Sequence, residues 1–297
     1  MNDSRETSAP RKIVGTKRFR EPMPSPISTR IFTVANQKGG VGKTTTAVNL
    51  AAALAMGGLR TLVIDLDPQG NASTAFGVAR DEVEGIYEVI TKDRALTDVI
   101  LKIPGYPHLT LAPANQSLAN AEVELVPLVA REMRLKKALT TFLQESSNNS
   151  ERYDYVFIDC PPSLGLLTVN ALVAADELLI PIQCEYYSLE GLSLLLHTVS
   201  LIQEHLNPRI SLSTIVLTMF DGRTRLANDV AQEVRKHYPT QLIDIPIPRA
   251  VRVSEAPSYG QTVMTYDPSS NGAEAYALIA REIAERGAPS MRKVEVS

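Results

Sequence analysis

Short apolar runs alternate with longer amphipathic stretches along most of the chain. The apolar runs lie at positions 31–35, 61–64, 155–158, 177–182 and 212–217. Between residues 189 and 206, apolar side chains instead recur every three or four positions, which is the period of an amphipathic helix. Strands that alternate with helices predict an α/β fold, in which a mostly parallel, twisted sheet is flanked by helices on both faces.

The two ends of the chain differ in composition from the part that carries this pattern. Residues 1–30 are polar and hold seven basic residues against three acidic ones. They predict a disordered basic arm, which is either a solvated tail or an accessory contact to DNA or to a partner protein. Residues 31–287 are expected to form one domain, and residues 288–297 a flexible tail.

The overall composition is that of a globular protein with a large core. The chain has 297 residues, of which 44% are hydrophobic and 21% are charged. No apolar run approaches the roughly 18 residues that span a membrane, and the two cysteines, Cys160 and Cys184, lack metal-binding spacing. These features favour a reduced, cytoplasmic setting. The net charge is -3, so any contact with DNA would need a local basic patch.

Capping and breaking residues predict where individual helices begin and end. Gly57 follows the apolar end of the first helix and is expected to stop it. Pro127 is expected to open a helix that runs to about Leu143, because proline is tolerated at a first helical position. Ser270 or Asn271 is expected to cap the last helix.

A glycine-rich stretch, residues 36–46, separates the first apolar run from the first helix. Glycines let successive backbone N–H groups turn inward as an anion-binding nest, and the start of the helix adds further N–H donors. Lys43 would bring a positive charge to the outer phosphates, and Thr44 would offer a hydroxyl to Mg²⁺. Strand, glycine-rich turn and helix in this order predict a phosphate-binding loop.

Three carboxylates stand at the ends of apolar runs. Asp65 and Asp67 are at alternate positions, so they share one face of an extended segment. Asp159 ends the run 155–158, which is the Walker B arrangement, where the acid holds a water on Mg²⁺. Ligands of open α/β sheets bind beyond the carboxyl ends of the strands, so these side chains are expected near the phosphates. For Asp65 and Asp67, an acidic turn without function is the alternative.

Arginines collect in two loops that are expected to follow strands. They are Arg223, Arg225, Arg249 and Arg252. Arginine clusters without nearby acids suit contact with phosphates. Solvated loop charges explain the same spacing, so the pattern alone leaves both interpretations open.

Three motifs together resemble those of one family. Gln37 stands where an ordinary P-loop has its first glycine, and Lys38 follows it; this second lysine resembles the "deviant" loop of the ParA/MinD group of P-loop ATPases. Residues 64–71 are similar to that group's V-D-x-D-P-Q-G-N motif, and residues 159–163 to its D-x-P-P-S motif. The resemblance covers about residues 30–287 and is closest to the chromosomal ParA (Soj-like) partition ATPases.

The resemblance implies an ATP hydrolase with ATP and Mg²⁺ as cofactors. Lys38 would reach the phosphates bound to the partner subunit, and Asp67 would orient and activate the attacking water. Catalysis is thereby assigned to Lys38, Lys43 and Asp67, and the Mg²⁺ site to Thr44, Asp67 and Asp159. The nucleotide-binding residues are expected to be Lys38, Gly39, Gly40, Val41, Gly42, Lys43, Thr44, Thr45 and, beside the adenine, Pro248.

The resemblance also implies a cellular role. Such proteins close into an ATP-dependent homodimer, a sandwich that binds double-stranded DNA without sequence preference. A ParB-type centromere-binding partner then stimulates hydrolysis and releases them, so this chain is expected in the cytoplasm on the nucleoid and not on a membrane. DNA-contacting arginines of the family lie in the loops T-M-x-x-x-R-T and I-P-R-x-V-R-x-S-E-A-P-S, and Arg223, Arg249 and Arg252 match them.

Three alternatives belong to other functional classes. A MinD-like division-positioning ATPase would need a membrane-seeking C-terminal helix, and residues 290–297 are short and polar. An iron–sulfur reductase of the nitrogenase type would need bridging cysteines, and Cys160 and Cys184 do not stand in that pattern. A non-hydrolysing, nucleotide-gated scaffold conflicts with the presence of both Lys38 and Asp67. An ATPase of this group that positions another cargo stays open.

Overall fold

A computed structural model describes residues 21–81, 83–185 and 188–289. Within these ranges, eight strands form one sheet in the order β3-β4-β2-β5-β1-β6-β7-β8. The strands are β1 (Arg30–Val34), β2 (Thr61–Asp65), β3 (Leu101–Lys102), β4 (Leu109–Ala112), β5 (Tyr155–Asp159), β6 (Glu177–Gln183), β7 (Ser211–Thr218) and β8 (Leu242–Ile243). The neighbouring strands run parallel except β3, which pairs antiparallel with β4 at one edge.

Helices cover both faces of this sheet. They are α1 (Lys43–Met56), α2 (Asn71–Ala75), α3 (Ile86–Lys92), α4 (Leu96–Val99), α5 (Ala121–Leu125), α6 (Arg134–Asn148), α7 (Leu166–Ala174), α8 (Ser188–His205), α9 (Arg225–His237), α10 (Val251–Glu255), α11 (Val263–Tyr266) and α12 (Asn271–Gly287). Short 3-10 turns precede α5 and follow α10. The predicted fold class, a mostly parallel sheet between two layers of helices, is confirmed.

The apolar runs of the sequence are the central strands. Every residue of β2 and β5 is buried, as expected for parallel strands covered on both faces. Two separate clusters of buried apolar side chains form the core. One lies under α1, α2 and α10–α12, and the other under α3–α9. Because the strands are parallel, their carboxyl ends meet at one edge of the sheet, where Asp65 and Asp159 are directly paired.

The segment before β1 packs against the domain. Met23 is 4% exposed, and its backbone N–H donates to the Gly57 carbonyl at 3.0 Å. Arg30 is the first residue of β1. The boundary predicted after residue 30 therefore falls inside a packed segment. Residues 1–20 of the expected arm and residues 290–297 of the expected tail lie outside the described ranges.

One predicted helix start is wrong. The helix expected from Pro127 begins at Arg134, because the chain leaves the helical conformation after α5. Ala130 has a φ of 51°, in the left-handed region that interrupts a helix. The Arg131 guanidinium donates to the Val126 carbonyl at 2.8 Å and holds this turn. By contrast, Ser270 caps α12 as predicted, since its side chain accepts the Ala273 N–H.

In the part of the chain that the structure describes, no helix is both long enough and apolar enough to cross a bilayer.

Candidate functional site

The glycine-rich loop turns tightly between β1 and α1. Gly40 has a φ of 73° and Gly42 a φ of 86°, so both lie in the left-handed region that favours glycine. Gly42 caps α1, and its carbonyl accepts the first helical bond from the Thr46 N–H at 2.8 Å. The Thr218 hydroxyl, at the end of β7, donates to the Val41 carbonyl at 2.8 Å. The loop is therefore fixed both to its own helix and to a more distant strand.

Lys43 is held at the base of this loop. Its side chain is buried, and its ammonium donates to the Lys38 carbonyl at 3.2 Å. Burial lowers the pKa of Lys43, and the charges of Asp159 and Asp67 oppose that effect. The amine is thus a cation with two nearby carboxylates, and it is partly removed from water. This placement suits contact with a polyanion, because the electrostatic interaction gains strength where water is excluded.

The Asp159 carboxylate is fully buried and poorly satisfied. Neither of its oxygens makes a hydrogen bond of normal geometry within the described ranges, although the Thr44 hydroxyl lies close enough to lower its pKa. Burial dominates and raises the pKa of Asp159 well above its usual value, with a further contribution from the charge of Asp65. Buried carboxylates are normally bonded, and one without hydrogen-bond donors is suited to hold a cation. Its oxygens and the Thr44 hydroxyl are ligands that fit Mg²⁺.

The two carboxylates after β2 have different surroundings. Asp65 is fully buried and accepts from the Ser73 N–H at 2.7 Å and the Ser73 hydroxyl at 2.6 Å. Burial raises the pKa of Asp65 to about 6. Asp67 instead accepts the Gln69 N–H at 2.9 Å and faces an open cavity. Asp65 therefore anchors α2, and Asp67 is the carboxylate that reaches the solvent-accessible space.

That cavity, of about 510 Å³, lies at the carboxyl edge of the sheet above the glycine-rich loop. Its volume is within the range of small-ligand sites. Among the residues predicted from sequence, the lining includes Gly39, Gly40, Gly42, Lys43, Thr44, Thr45 and Asp67. Asp159 and the Val41 side chain are buried and do not line the cavity. The structure thus brings most of the predicted phosphate-binding residues, though not Lys38 or Val41, to one place with Asp67.

One wall of the cavity is formed by residues other than the proline predicted beside the adenine. Pro248 was expected beside the base, but it pairs with Phe220 in a β-bridge and is absent from the lining. Pro257 and Ser258, in the 3-10 turn after α10, line the cavity instead, together with Gln261. Gln69 and Asn71 line it as well. All of these residues except Gln261 belong to motifs already noted in the sequence, but pattern alone does not say which of their side chains face inward.

Lys38 points away from the cavity of its own chain. Its ammonium pairs with the Glu185 carboxylate beyond β6, and its backbone N–H donates to the Asn36 side chain at 3.0 Å. The Lys38 side chain is 39% exposed. It is therefore a surface cation at the rim of the loop, and only its backbone carbonyl contacts Lys43.

The two arginine loops are joined to each other. The Phe220 N–H donates to the Ile247 carbonyl at 2.9 Å, and the Arg249 N–H donates to the Phe220 carbonyl at 3.3 Å. These bonds place the Arg223 loop, after β7, beside the Arg249 loop, after β8. The expected gathering of the arginines on one side is supported by this contact.

Acidic side chains lie beside these arginines, although the sequence predicted clusters without nearby acids. The Arg223 side chain, 89% exposed, forms a two-pronged pair with Asp221 at 2.8 and 2.7 Å. This pair lowers the pKa of Asp221 to about 2. Arg252 donates to the Glu255 carboxylate at 3.2 Å. Arg223 and Arg252, the latter within α10 and not in a loop, therefore form exposed ion pairs, which are weak in water and can exchange their carboxylates for other anions.

The chain is similar to known proteins over most of its length. The model of a family described as "AAA domain" matches residues 29–212. The sporulation initiation inhibitor protein Soj of Bacillus subtilis is 50% identical over 259 residues, which are 87% of this chain and 99% of that protein. The chromosome partitioning protein ParA of Myxococcus xanthus is 48% identical over 269 residues, 90% of this chain and 92% of that one.

A solved structure gives the same fold. Cobyrinic acid a,c-diamide synthase from Mycobacterium smegmatis, with bound ADP and magnesium, superposes with a TM-score of 0.71. It is 37% identical in sequence, and the match covers 86% of this chain and 93% of that one.

Proposed function

This chain belongs to the AAA-domain family and, within it, to the ParA/Soj chromosome-partitioning ATPases, and from that premise we propose a nucleotide-switched DNA carrier. Bound ATP would close two copies into a sandwich dimer, and the dimer would hold double-stranded DNA without sequence preference. A ParB-type centromere-binding partner would stimulate hydrolysis and release the DNA. The protein would accordingly work on the nucleoid.

One observation carries this proposal, namely the contact between the glycine-rich loop and β7. The Thr218 hydroxyl bonds to the Val41 carbonyl at 2.8 Å, and Met219 lines the cavity. Arg223 follows only a few residues later in the same chain segment. A change in the loop on nucleotide binding can therefore reach the arginine loops through a single short segment.

The cavity residues divide the chemistry of ATP hydrolysis among them. Lys43 and the backbone N–H groups of residues 39–45 would bind the phosphates. Thr44 and Asp159 would hold Mg²⁺, which neutralises phosphate charge when it is bound. Asp67 would complete the Mg²⁺ surroundings and orient the attacking water, because it is the carboxylate that faces the cavity beside this pair.

Lys38 would act on the partner subunit. Its ammonium faces Glu185, outside its own cavity, and is partly exposed at the rim. In a sandwich dimer, a rim cation can enter the opposite site and stabilise the negative charge that develops on the phosphates. Glu185 would release it at that point, and such an exposed ion pair is weak enough to break on dimerisation.

DNA would bind to the arginine loops. Arg223, Arg249 and Arg252 are exposed, and the Phe220 bonds join the segment before Arg223 to the segment of Arg249. Phosphates would replace Asp221 and Glu255 as partners of two of these side chains. Since such contacts carry no sequence information, the expected binding is non-specific and steeply dependent on salt.

The test is binding of the full chain to a random-sequence DNA duplex with ATP, with ADP and without nucleotide, at about 50 and about 200 mM salt. Binding is expected with ATP alone and should weaken steeply at the higher salt. Arg223→Ala and Arg249→Ala should each weaken it by several fold, whereas Arg152→Ala, at the opposite edge of the sheet, should not. Equal binding in all three nucleotide states would contradict the proposed dependence of DNA binding on ATP.

The partner step needs its own measurement. ATP hydrolysis is followed with DNA present, before and after addition of a ParB-type protein from the same genome. Faster hydrolysis with loss of bound DNA is the expected result. An unchanged rate with this partner would leave a DNA-binding ATPase and remove the release step from the proposal.

A further inference from the structure

Arg80 closes over the turn that carries Asp67. Its two terminal nitrogens donate to successive backbone carbonyls, that of Pro68 at 2.5 Å and that of Gln69 at 2.6 Å. A planar guanidinium that bonds two neighbouring carbonyls fixes their direction as well as their distance, which a single ammonium cannot do. The turn is thereby held from outside the cavity.

The turn also has internal bonds, and these connect it to the Asp67 carboxylate. The Gly70 N–H donates to the Asp67 carbonyl at 2.8 Å, and the Gln69 N–H donates to the Asp67 side chain at 2.9 Å. These bonds use the N–H groups of the turn and leave the carbonyls of Pro68 and Gln69 facing outward. Arg80 takes up these two carbonyls, so the guanidinium completes the hydrogen bonding of the turn.

Gly70 makes room for this arrangement. It has a φ of 62°, and a Cβ at this position would lie 2.1 Å from the Arg80 Nε and 2.5 Å from its Cδ. The guanidinium therefore lies directly against the glycine. Its Nε is buried and makes no hydrogen bond in the described part of the chain. Both observations indicate that the terminal nitrogens, and not Nε, do the bonding.

The backbone returns Arg80 to this turn by folding over α2. The Gly77 N–H donates to the Thr74 carbonyl at 2.9 Å, and the Val78 N–H donates to the Ser73 carbonyl at 3.0 Å. Ser73 is in turn bonded to Asp65 at the end of β2. The segment that presents Arg80 is thus anchored to the sheet, and the guanidinium is a fixed support for the turn.

We propose that Arg80 is a positioning residue for ATP hydrolysis, which holds the turn of residues 67–70 so that the Asp67 carboxylate is aimed at the attacking water. The inference rests on the role proposed above for Asp67. Arg80 does not line the cavity, so it acts through the turn and not on the nucleotide. Catalytic rates are sensitive to displacements of about 1 Å in such groups.

Arg152 offers a matched control. Its terminal nitrogens also donate to two successive backbone carbonyls, of Ile27 at 2.7 Å and of Pro26 at 2.9 Å, but beyond the amino end of β5. Arg152→Lys removes the same type of contact far from the cavity. Any loss that merely reflects a missing carbonyl clamp should appear equally in both variants.

The experiment compares Arg80→Lys and Arg80→Ala with Arg152→Lys in the full chain, by single-turnover ATP hydrolysis and by equilibrium binding of Mg²⁺-ATP. Both Arg80 variants should hydrolyse ATP about 10- to 100-fold more slowly, while the Kd for Mg²⁺-ATP changes less than about threefold. The Arg152 variant should match the wild type in both measurements. Wild-type turnover in Arg80→Ala, or slower turnover accompanied by an equal loss of ATP affinity, would overturn the inference.

A double variant separates this inference from the assignment of Asp67. If Arg80 acts through Asp67, adding Arg80→Ala to Asp67→Ala should slow hydrolysis no further, because the group being positioned is gone. A further tenfold loss in the double variant would contradict that route. Brisk turnover by Asp67→Ala alone would instead remove the proposed role of Asp67, and with it the positioning function, whatever Arg80→Ala shows.

Discussion

Arg30 and Asp159 are ionisable groups at opposite ends of the parallel strands, Arg30 at the amino edge of the sheet and Asp159 at the carboxyl edge. Their hydrogen-bond partners differ in kind. All three guanidinium nitrogens of Arg30 are bonded, two to the Glu177 carboxylate at 2.6 Å each and one to the Ile283 carbonyl at 2.7 Å. The guanidinium also lies 4.8 Å from the centre of the Phe32 ring. Neither oxygen of Asp159 has a bond of normal geometry in the described ranges.

The difference separates structural from functional charge. Each guanidinium nitrogen of Arg30 already has a hydrogen-bond partner, so its ion pair with Glu177 needs no ligand. The pair instead holds β1, β6 and α12 together. A buried carboxylate without donors is unfavourable until a cation arrives. The amino edge of the sheet thus carries a charge that is paired within the chain, whereas the carboxyl edge carries a carboxylate whose oxygens suit a cation.

The largest expected effect is at the carboxyl edge. Lys43→Ala should abolish ATP binding, with a loss of at least about 100-fold in affinity, because it removes the cation that faces the phosphates. Fluorescent-nucleotide titration measures this directly. Lys137→Ala, with a side chain 78% exposed on α6, is the control and should bind normally. Normal affinity in Lys43→Ala would refute the assignment of the loop.

The matching test at the amino edge is Glu177→Ala. It should lower the free energy of unfolding by about 2 kcal/mol, since it leaves the Arg30 guanidinium, whose side chain is only 16% exposed, without its carboxylate. Urea denaturation gives the loss, and ATP affinity of the folded protein should be unchanged. Glu151→Ala removes an exposed pair with Arg60 and should cost less than about 1 kcal/mol. Equal losses in the two variants would mean that the Arg30–Glu177 pair contributes no more to stability than an exposed ion pair.

Asp159→Asn tests the same comparison from the other end of the sheet. Its effect on the free energy of unfolding should be opposite in sign to that of Glu177→Ala. In the absence of nucleotide and Mg²⁺, the amide removes a buried charge that accepts no hydrogen bond of normal geometry and should raise the free energy of unfolding by about 1–2 kcal/mol. With Mg²⁺-ATP present, the variant should lose most of the ligand-induced stabilisation that the wild type gains. Thermal melting under both conditions tests this. Destabilisation without ligand would mean that Asp159 is already satisfied in the single chain.

The smallest effect expected is the pH dependence of Asp65. Its pKa in the folded state is about 6, raised above the ordinary 3.8 by burial. The folded state therefore holds this proton more tightly than the unfolded state, and the stability so gained at low pH is lost as pH rises from about 4 to about 6. Asp65→Asn cannot titrate, so its stability relative to the wild type should increase over that interval by about 1 kcal/mol or more.

Urea unfolding at a series of pH values measures that difference, with Asp229→Asn on the exposed face of α9 as the control. The control should show a flat difference between pH of about 4 and about 6. A flat difference for Asp65→Asn as well would mean that the Asp65 carboxyl titrates normally.

The pattern of apolar positions predicted the sheet and its helices because burial on both faces demands continuous apolar strands. The P-loop and the aspartates at strand ends were predictable for a similar reason, since local chemistry and the edge of a parallel sheet locate them together. The start of α6 was not predictable from Pro127. The left-handed Ala130 and the bond from Arg131 to the Val126 carbonyl decided it.

Within the site, sequence determined which residue types are present, and tertiary structure decided what each one faces. That the glycine-rich loop, Asp67 and Asp159 lie at the carboxyl ends of the strands could be predicted in advance, because the succession of strand, turn and helix fixes where the backbone goes. Their roles toward a nucleotide stay a prediction. Other features depend on segments that meet only in the folded chain. They are the ion pair of Lys38 with Glu185, the bonds from Arg80 to the turn that carries Asp67, and the place of Pro257, not Pro248, in the cavity wall. Side-chain direction is set by packing among such segments, and no local pattern encodes it.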